Sequence, residues 1–174
     1  MIYLHIVHSG ILKSEEGTDH NLQLLLDCLN IIGHAEFELG KNDDYERTLQ
    51  LHEFYLKMLA LYFDDGFYGI YAFEAMQRHL DLACIYLSCL SDEQKAFEHL
   101  KTAVKFVKQY EGLSDPFVYT STLLNGHKSH EVILKNYTET QSELLINFMN
   151  GSKFDSVRDK DWFKSLEREL RSAT

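Results

Sequence analysis

The chain has 174 residues, 45% of them hydrophobic, with 17 Lys and Arg against 27 Asp and Glu and a formal net charge of −10. That length suits one domain with a sizeable core. The acidic balance argues against a direct grip on a phosphate backbone or an anionic membrane surface, since both need a basic face.

Hydrophobic spacing and stop–start residues divide the chain into elements. Residues 1–13 are a short apolar segment that reads as the stub of an earlier helix. It carries His5 and His8, lacks a basic start and is too short to span a bilayer, so it has neither signal-peptide nor transmembrane form. Residues 14–20 are a polar break around Gly17, and residues 1–20 together form an N-terminal segment ahead of one helical domain over 21–174. Leu22, Leu25, Leu29, Ile32 and Phe37 recur at helical spacing and predict a helix over 21–40. Gly40 stops it, and Asn42 or Asp43 is expected to cap the next helix, over 44–63. Asp64-Asp65-Gly66 breaks the chain again.

A helix rich in Tyr and Phe is predicted over 68–90, and Ser91 is expected to cap its partner over 92–110. Residues 111–137 hold Pro116, Asn125-Gly126, His127 and His130 and read as an irregular connector. Thr138 with Gln141 three residues on has the form of a capping box and starts a helix to about 149. Gly151 stops that helix, and a last one, capped by Asp161, is expected over 162–170, so that 138–171 closes the domain.

Two stretches share one pattern. The first runs Leu29, Ile32 and Gly33, then Gly40 at a turn, then Tyr45, Thr48 and His52. The second runs His79, Leu82, Ala83 and Tyr86, then Ser91-Asp92, then Ala96, Leu100 and Ala103. Both resemble the tetratricopeptide repeat, in which small residues let the two helices of a pair approach closely. Fifty residues separate Gly33 from Ala83, against roughly 34 in an ordinary repeat, so the helices are long and the loop after 63 is extra. The resemblance implies an all-α fold of antiparallel helix pairs, an α–α superhelix with repeats over 21–63 and 68–110 and a C-terminal capping helix. Repeats of this kind stack into binding surfaces.

The second half carries a narrower likeness. Leu82-Ala83-x-Ile85-Tyr86-Leu87, Tyr119-Thr120-Ser121, Lys135-Asn136-Tyr137-Thr138 and Phe154-Asp155-x2-Arg158-Asp159 occur in that order. This resembles the C-terminal region of the Xre-type helix-turn-helix transcriptional regulators of Firmicutes, where a small DNA-binding domain precedes a tetratricopeptide-like one. What the resemblance implies is a regulatory domain for dimerisation or effector sensing, with DNA contacted through a domain this chain lacks. The alternative is a stand-alone adaptor for a peptide or protein.

Catalytic and metal chemistry find little support. His5 with His8 and His127 with His130 are spaced three apart, but a structural zinc site wants about four ligands, usually with Cys. His52-Glu53 opens like HExxH, yet Leu56 holds the second His position. No phosphate-cradling Gly-rich motif or nucleophile elbow occurs. Three cysteines, Cys28, Cys84 and Cys89, without a CxxC pair, suit buried thiols in a reducing cytoplasm. No cofactor and no metal are expected, and a non-enzymatic cytoplasmic protein is.

First helices of stacked pairs line the concave face, which nominates Asn30, His34, Glu38, Tyr71, Arg78 and Cys89 as side chains facing a polar, peptide-like partner. Tyr62, Phe63, Phe67, Tyr68, Tyr71 and Phe73 gather around a break. They read either as inter-repeat core or, through Phe67, Tyr68 and Phe73, as a groove wall or homodimer patch, since aromatics concentrate energy at interfaces. Asp64-Asp65 beside them reads as a turn and cap. At a net charge of −10, this chain alone should not bind duplex DNA at physiological salt. A gel-shift titration showing tight, salt-dependent binding would overturn that expectation.

Overall fold

The computed structural model describes residues 20–40, 44–114, 116–129 and 140–172. The fold is all-helical, with six α-helices among the described residues: α1 His20–Gly40, α2 Tyr45–Tyr62, α3 Ala72–Ser88, α4 Glu93–Glu111, α5 Gln141–Met149 and α6 Asp161–Arg171. Two 3-10 turns, Gly69–Tyr71 and Ser152–Phe154, complete it. Neighbours in sequence pack together: α1 on α2, α2 on α3, and α3 on α4 most extensively. Helix α4 also carries α5 and α6, which touch each other. No helix among the described residues is long and apolar enough to cross a membrane.

The small residues explain why α3 and α4 sit closest. Ala83 on α3 and Ala96 and Ala103 on α4 are fully buried, as their place in the repeated pattern predicts. Without side chains beyond Cβ they let Leu82, Leu100 and Val104 of the two helices interlock in the core. Gly33, the equivalent position in the first pair, is only half-buried.

Helix ends follow cap chemistry, although at residues other than those the sequence suggests. Asp44, not Asn42 or Asp43, caps α2, its Oδ1 accepting from the Arg47 amide at 3.1 Å. Asp92, not Ser91, caps α4 through the Lys95 amide at 3.0 Å. Ser91 instead holds φ +55° and reverses the chain between α3 and α4. The capping box of α5 belongs to Thr140 and Glu143: the Glu143 amide donates to Thr140 Oγ1 at 3.1 Å and the Thr140 amide to Glu143 Oε2 at 2.9 Å. Thr138 lies outside the described residues, and Gln141 is buried in the first turn. Asp161 is the first residue of α6 rather than its cap, where its charge suits the helix dipole.

Residues 116–129 are more ordered than an irregular connector. A single antiparallel bridge joins Val118 to Lys128, the Tyr119 amide donates to the His127 carbonyl at 2.8 Å, and the Gly126 amide to the Tyr119 carbonyl at 2.9 Å. Phe117, Tyr119 and Leu124 turn into the core. Asp64 and Asp65 hold this loop. Asp64 Oδ1 accepts the Thr122 amide at 2.9 Å, Asp65 accepts the Thr120 hydroxyl, and the hydrogen bonds from Thr122 hold the Asp64 carboxyl below its ordinary value.

The closing segment seals the far end. Phe154 and Val157 are buried beneath it, and Phe163, Leu166 and Leu170 turn the apolar face of α6 inward. Arg158 pairs with Asp155 at 2.6 Å and donates to the carbonyls of Asn150 and Gly151 at 3.0 and 3.1 Å, so one guanidinium satisfies the end of α5. The Trp162 indole donates to Glu93 at 2.9 Å.

Gly69 couples the loop to the helices. It holds φ +54°, and a Cβ there would lie 2.6 Å from the Tyr119 ring and 2.7 Å from that of Phe117. Gly69→Ala is expected to cost roughly 2–4 kcal/mol, because backbone strain and overpacking each contribute about 1–3. Gly66 supplies the control, at φ +77° with nothing within 4 Å of the place a Cβ would occupy. Gly66→Ala should cost only about 1–2 kcal/mol. Equal urea midpoints for the two variants would show that the Tyr119 contact adds nothing.

Candidate functional site

The sequence-nominated face divides in the structure. Asn30 and His34 are exposed on α1. Glu38 belongs to α1, and its side chain lies outside the described residues. Tyr71 is not on an open face: it is 1% exposed and its ring lies 5.3 Å from that of Phe63. The cause is local. Tyr71 falls in the 3-10 turn ahead of α3, so it does not share the helical phase that a continuous helix from 68 would give it with Arg78. Cys89 is exposed at the end of α3, Cys28 is half-buried, and burial pushes the half-buried Cys84 thiol up to about 11. The expectation of three buried thiols is not met: two are half-buried and Cys89 is exposed.

The aromatic cluster is inter-element packing for the most part. Tyr68 is buried, with its ring 4.8 Å from Phe106 of α4. Its amide donates to Gln109 Oε1 at 2.9 Å. Phe67 is half-buried and meets Phe117 edge-on at 5.6 Å. Phe73 is half-buried against Tyr110 at 6.1 Å. These contacts occupy within the chain the ring surfaces that a groove wall would offer.

Arg78 is half-buried at the α2–α3 seam. Its guanidinium carbon lies 4.4 Å from the Tyr55 ring centroid, and Nη1 lies 3.4 Å from His52 Nδ1. A guanidinium has no acceptor, so His52 receives this bond on Nδ1 and carries its own proton on Nε2. Both Tyr55 and His52 are buried. Their burial thins the water around the cation and strengthens its attraction to the ring face.

At the next residue of α3 is a second polar contact that sequence reasoning missed. His79 of α3 and His99 of α4 face each other with Nδ1 atoms 2.9 Å apart. His79 stacks on Phe106 at 5.7 Å and 24°, and His99 on Tyr86 at 5.3 Å and 12°. Burial, reinforced by His99, pushes His79 down to about 3. Burial also lowers His99, against the opposing pull of Glu53 and Glu98. The sequence marks His79 only as the large residue opening the second repeat unit, and a pairing 20 residues away leaves no periodic trace.

Exposed apolar side chains mark a different part of the surface. Leu24 and Ile31 on α1 are 47% and 71% exposed, and Phe54 and Leu61 on α2 are 51% and 63% exposed. Each pair is seven residues apart, two helical turns, so each shares one outward face. Asn30 and His34 flank Ile31. Among the described residues no group of three or more His, Cys, Asp or Glu is placed to hold a metal, and His130 lies outside them. His127 stacks on Tyr119 at 6.1 Å and 15°.

No family model, no curated protein and no solved structure matches this chain.

The Arg78–Tyr55 contact has a measurable energy. A double-mutant cycle of Arg78→Met and Tyr55→Leu should return a coupling of about 0.5–2 kcal/mol. Urea denaturation near neutral pH measures it, and additive single effects would show that the guanidinium does not rest on the ring.

Proposed function

We propose that this chain is a non-enzymatic protein-interaction and regulatory region. In this reading it is a stack of tetratricopeptide-like hairpins that binds a peptide or protein, including a second copy of itself, in the cytoplasm. The likeness to the Xre-type regulators extends the reading: the region would sense a partner or pair two chains, and a separate domain would contact DNA.

One observation carries the proposal. Ile31, Leu24, Phe54 and Leu61 stand out from the first hairpin in two rows, while the larger aromatics are consumed by internal packing. Aligned large apolar side chains that leave the core unserved are characteristic of surfaces that meet another protein. Exposed Asn30 and His34 beside Ile31 supply the polar rim that such surfaces have. The motif segments of the likeness fit a structural role: Tyr119 and Ser121 are buried, as is Phe154, and Arg158 ties the end of α5. Lys135-Asn136-Tyr137-Thr138 lies outside the described residues. The net charge of −10 is compatible with a protein partner and unfavourable for DNA.

Self-association tests the reading without knowledge of any other partner. Sedimentation of the full chain at micromolar concentrations should show a reversible dimer. Ile31→Asp should weaken it by about tenfold or more, the equivalent of 1.4 kcal/mol. Phe67→Ala should leave association close to the parent. Association unaffected by Ile31→Asp but lost in Phe67→Ala would move the surface to the aromatic cluster, and a monomer at all concentrations would remove the second copy from the reading.

A further inference from the structure

We propose that the His79–His99 contact is a proton-sensitive latch that holds α3 against α4 while His79 is uncharged and lets the second hairpin loosen in acid. The contact lies in the most extensive helix–helix seam among the described residues, so whatever opens it acts on the pair that carries α2, α5 and α6. It is independent of the surface assigned to the first hairpin.

The geometry sets the proton arithmetic. Two imidazoles with Nδ1 atoms 2.9 Å apart share one proton: one Nδ1–H donates and the other Nδ1 accepts. His99 is the better donor. Glu53 of α2 and Glu98 of α4 favour positive charge on it, and a proton added at its other nitrogen leaves the shared bond in place. His79 is then the acceptor, with its own proton on Nε2. A proton forced onto His79 Nδ1 would set two N–H groups against each other and end the bond.

The surroundings give that second proton no compensation. Phe106 covers one face of His79 and Tyr86 one face of His99. Charged groups near the pair among the described residues include Glu53 from α2, Glu98 and Lys95 from α4, and, on α3, Arg78 next to His79 with His52 of α2 at its guanidinium and the exposed Asp81, whose charge acts on Cys84. Lys95 lies 4.9 Å from the Tyr86 ring and opposes charge on His99. The Ser152–Phe154 turn also packs on α3, and the charge of its Lys153 acts on Cys84. The Gly69–Tyr71 turn against α3 and α4 brings no charged residue. Among the described residues, Glu53 and Glu98 favour charge on His99, whereas burial and His99 itself dominate at His79.

The direction of the pH effect follows. His79 takes a proton at about 3 in the closed hairpin and at about 6.5 once separated and solvated. Its folded value is the lower one, so the closed state binds fewer protons. Closure is therefore at full strength above about pH 6.5 and is lost progressively as pH falls from there toward 3. The same sign holds for His99, which is also lowered.

The test combines two measurements on the full chain. In the first, the imidazole carbon signals of His79 and His99 are titrated by NMR. His79 should remain neutral at pH 5, with its proton on Nε2. Ordinary titration of both rings near 6.5 would overturn the proposal. In the second, urea unfolding at pH 7.5 and 5.0 compares the parent with the His79→Leu/His99→Leu double variant. Replacing both partners keeps the seam apolar and avoids leaving one imidazole unpaired. From pH 7.5 to 5.0 the unfolding constant of the parent should rise about thirtyfold more than that of the double variant, from His79 alone. Equal pH sensitivity of the two folded proteins would overturn it. Should the double variant fail to fold, the titration of the parent decides alone.

Discussion

The close approach of α3 to α4 is the constraint on which the rest of the fold depends. Ala83, Ala96 and Ala103 remove the bulk that would hold the two helices apart, and Ser91 in the left-handed region turns the chain tightly enough to bring them back to back. Most of the described fold attaches to this hairpin. Helix α2 packs on α3, α5 and α6 pack on α4, and the 116–129 loop folds over the Gly69 turn. A larger side chain at the alanine positions would change the offset of the two helices and, with it, the distance between His79 and His99.

Polar side chains at element junctions carry much of the specificity. Glu111 at the end of α4 accepts both the amide and the hydroxyl of Ser142 at 2.7 Å, so the last residue of one helix satisfies the first turn of another. Gln109 spans from the Tyr68 amide to the Gly66 carbonyl and fixes the turn before α3. Such bonds are worth about 1 kcal/mol each in net stability, and leaving their partners unmet costs more. They select one arrangement of helices among several that would bury similar apolar area.

The two hairpins differ in what they leave open. Among the described residues the second packs against α2, α5 and α6, with His79 meeting His99 between its two helices. Among the described residues the first is covered on one side only, with α1 resting chiefly on α2. Its apolar residues beyond the core stripe, Leu24 and Ile31, are consequently exposed.

The all-α class and the approximate limits of the six helices among the described residues were determined by the sequence alone, because apolar periodicity and the breaks at Asp64-Asp65-Gly66 and Gly151 act over a few residues. The alanines of the α3–α4 seam were legible for the same reason. Exposure of Asn30 and His34 followed from the phase of α1. Caps at Asp44, Asp92 and Thr140 were off by one or two residues from the sequence expectation, since several neighbouring polar residues compete for each helix start and the choice falls to whichever side chain reaches the N3 amide. Only the tertiary structure decided that Tyr71 is buried, that Arg78 lies over Tyr55, that the connector turns Tyr119 onto Gly69, and that His79 meets His99. Each of these depends on the rotation and offset of one element against another, a quantity set by the whole packed core and written in no local stretch of the chain.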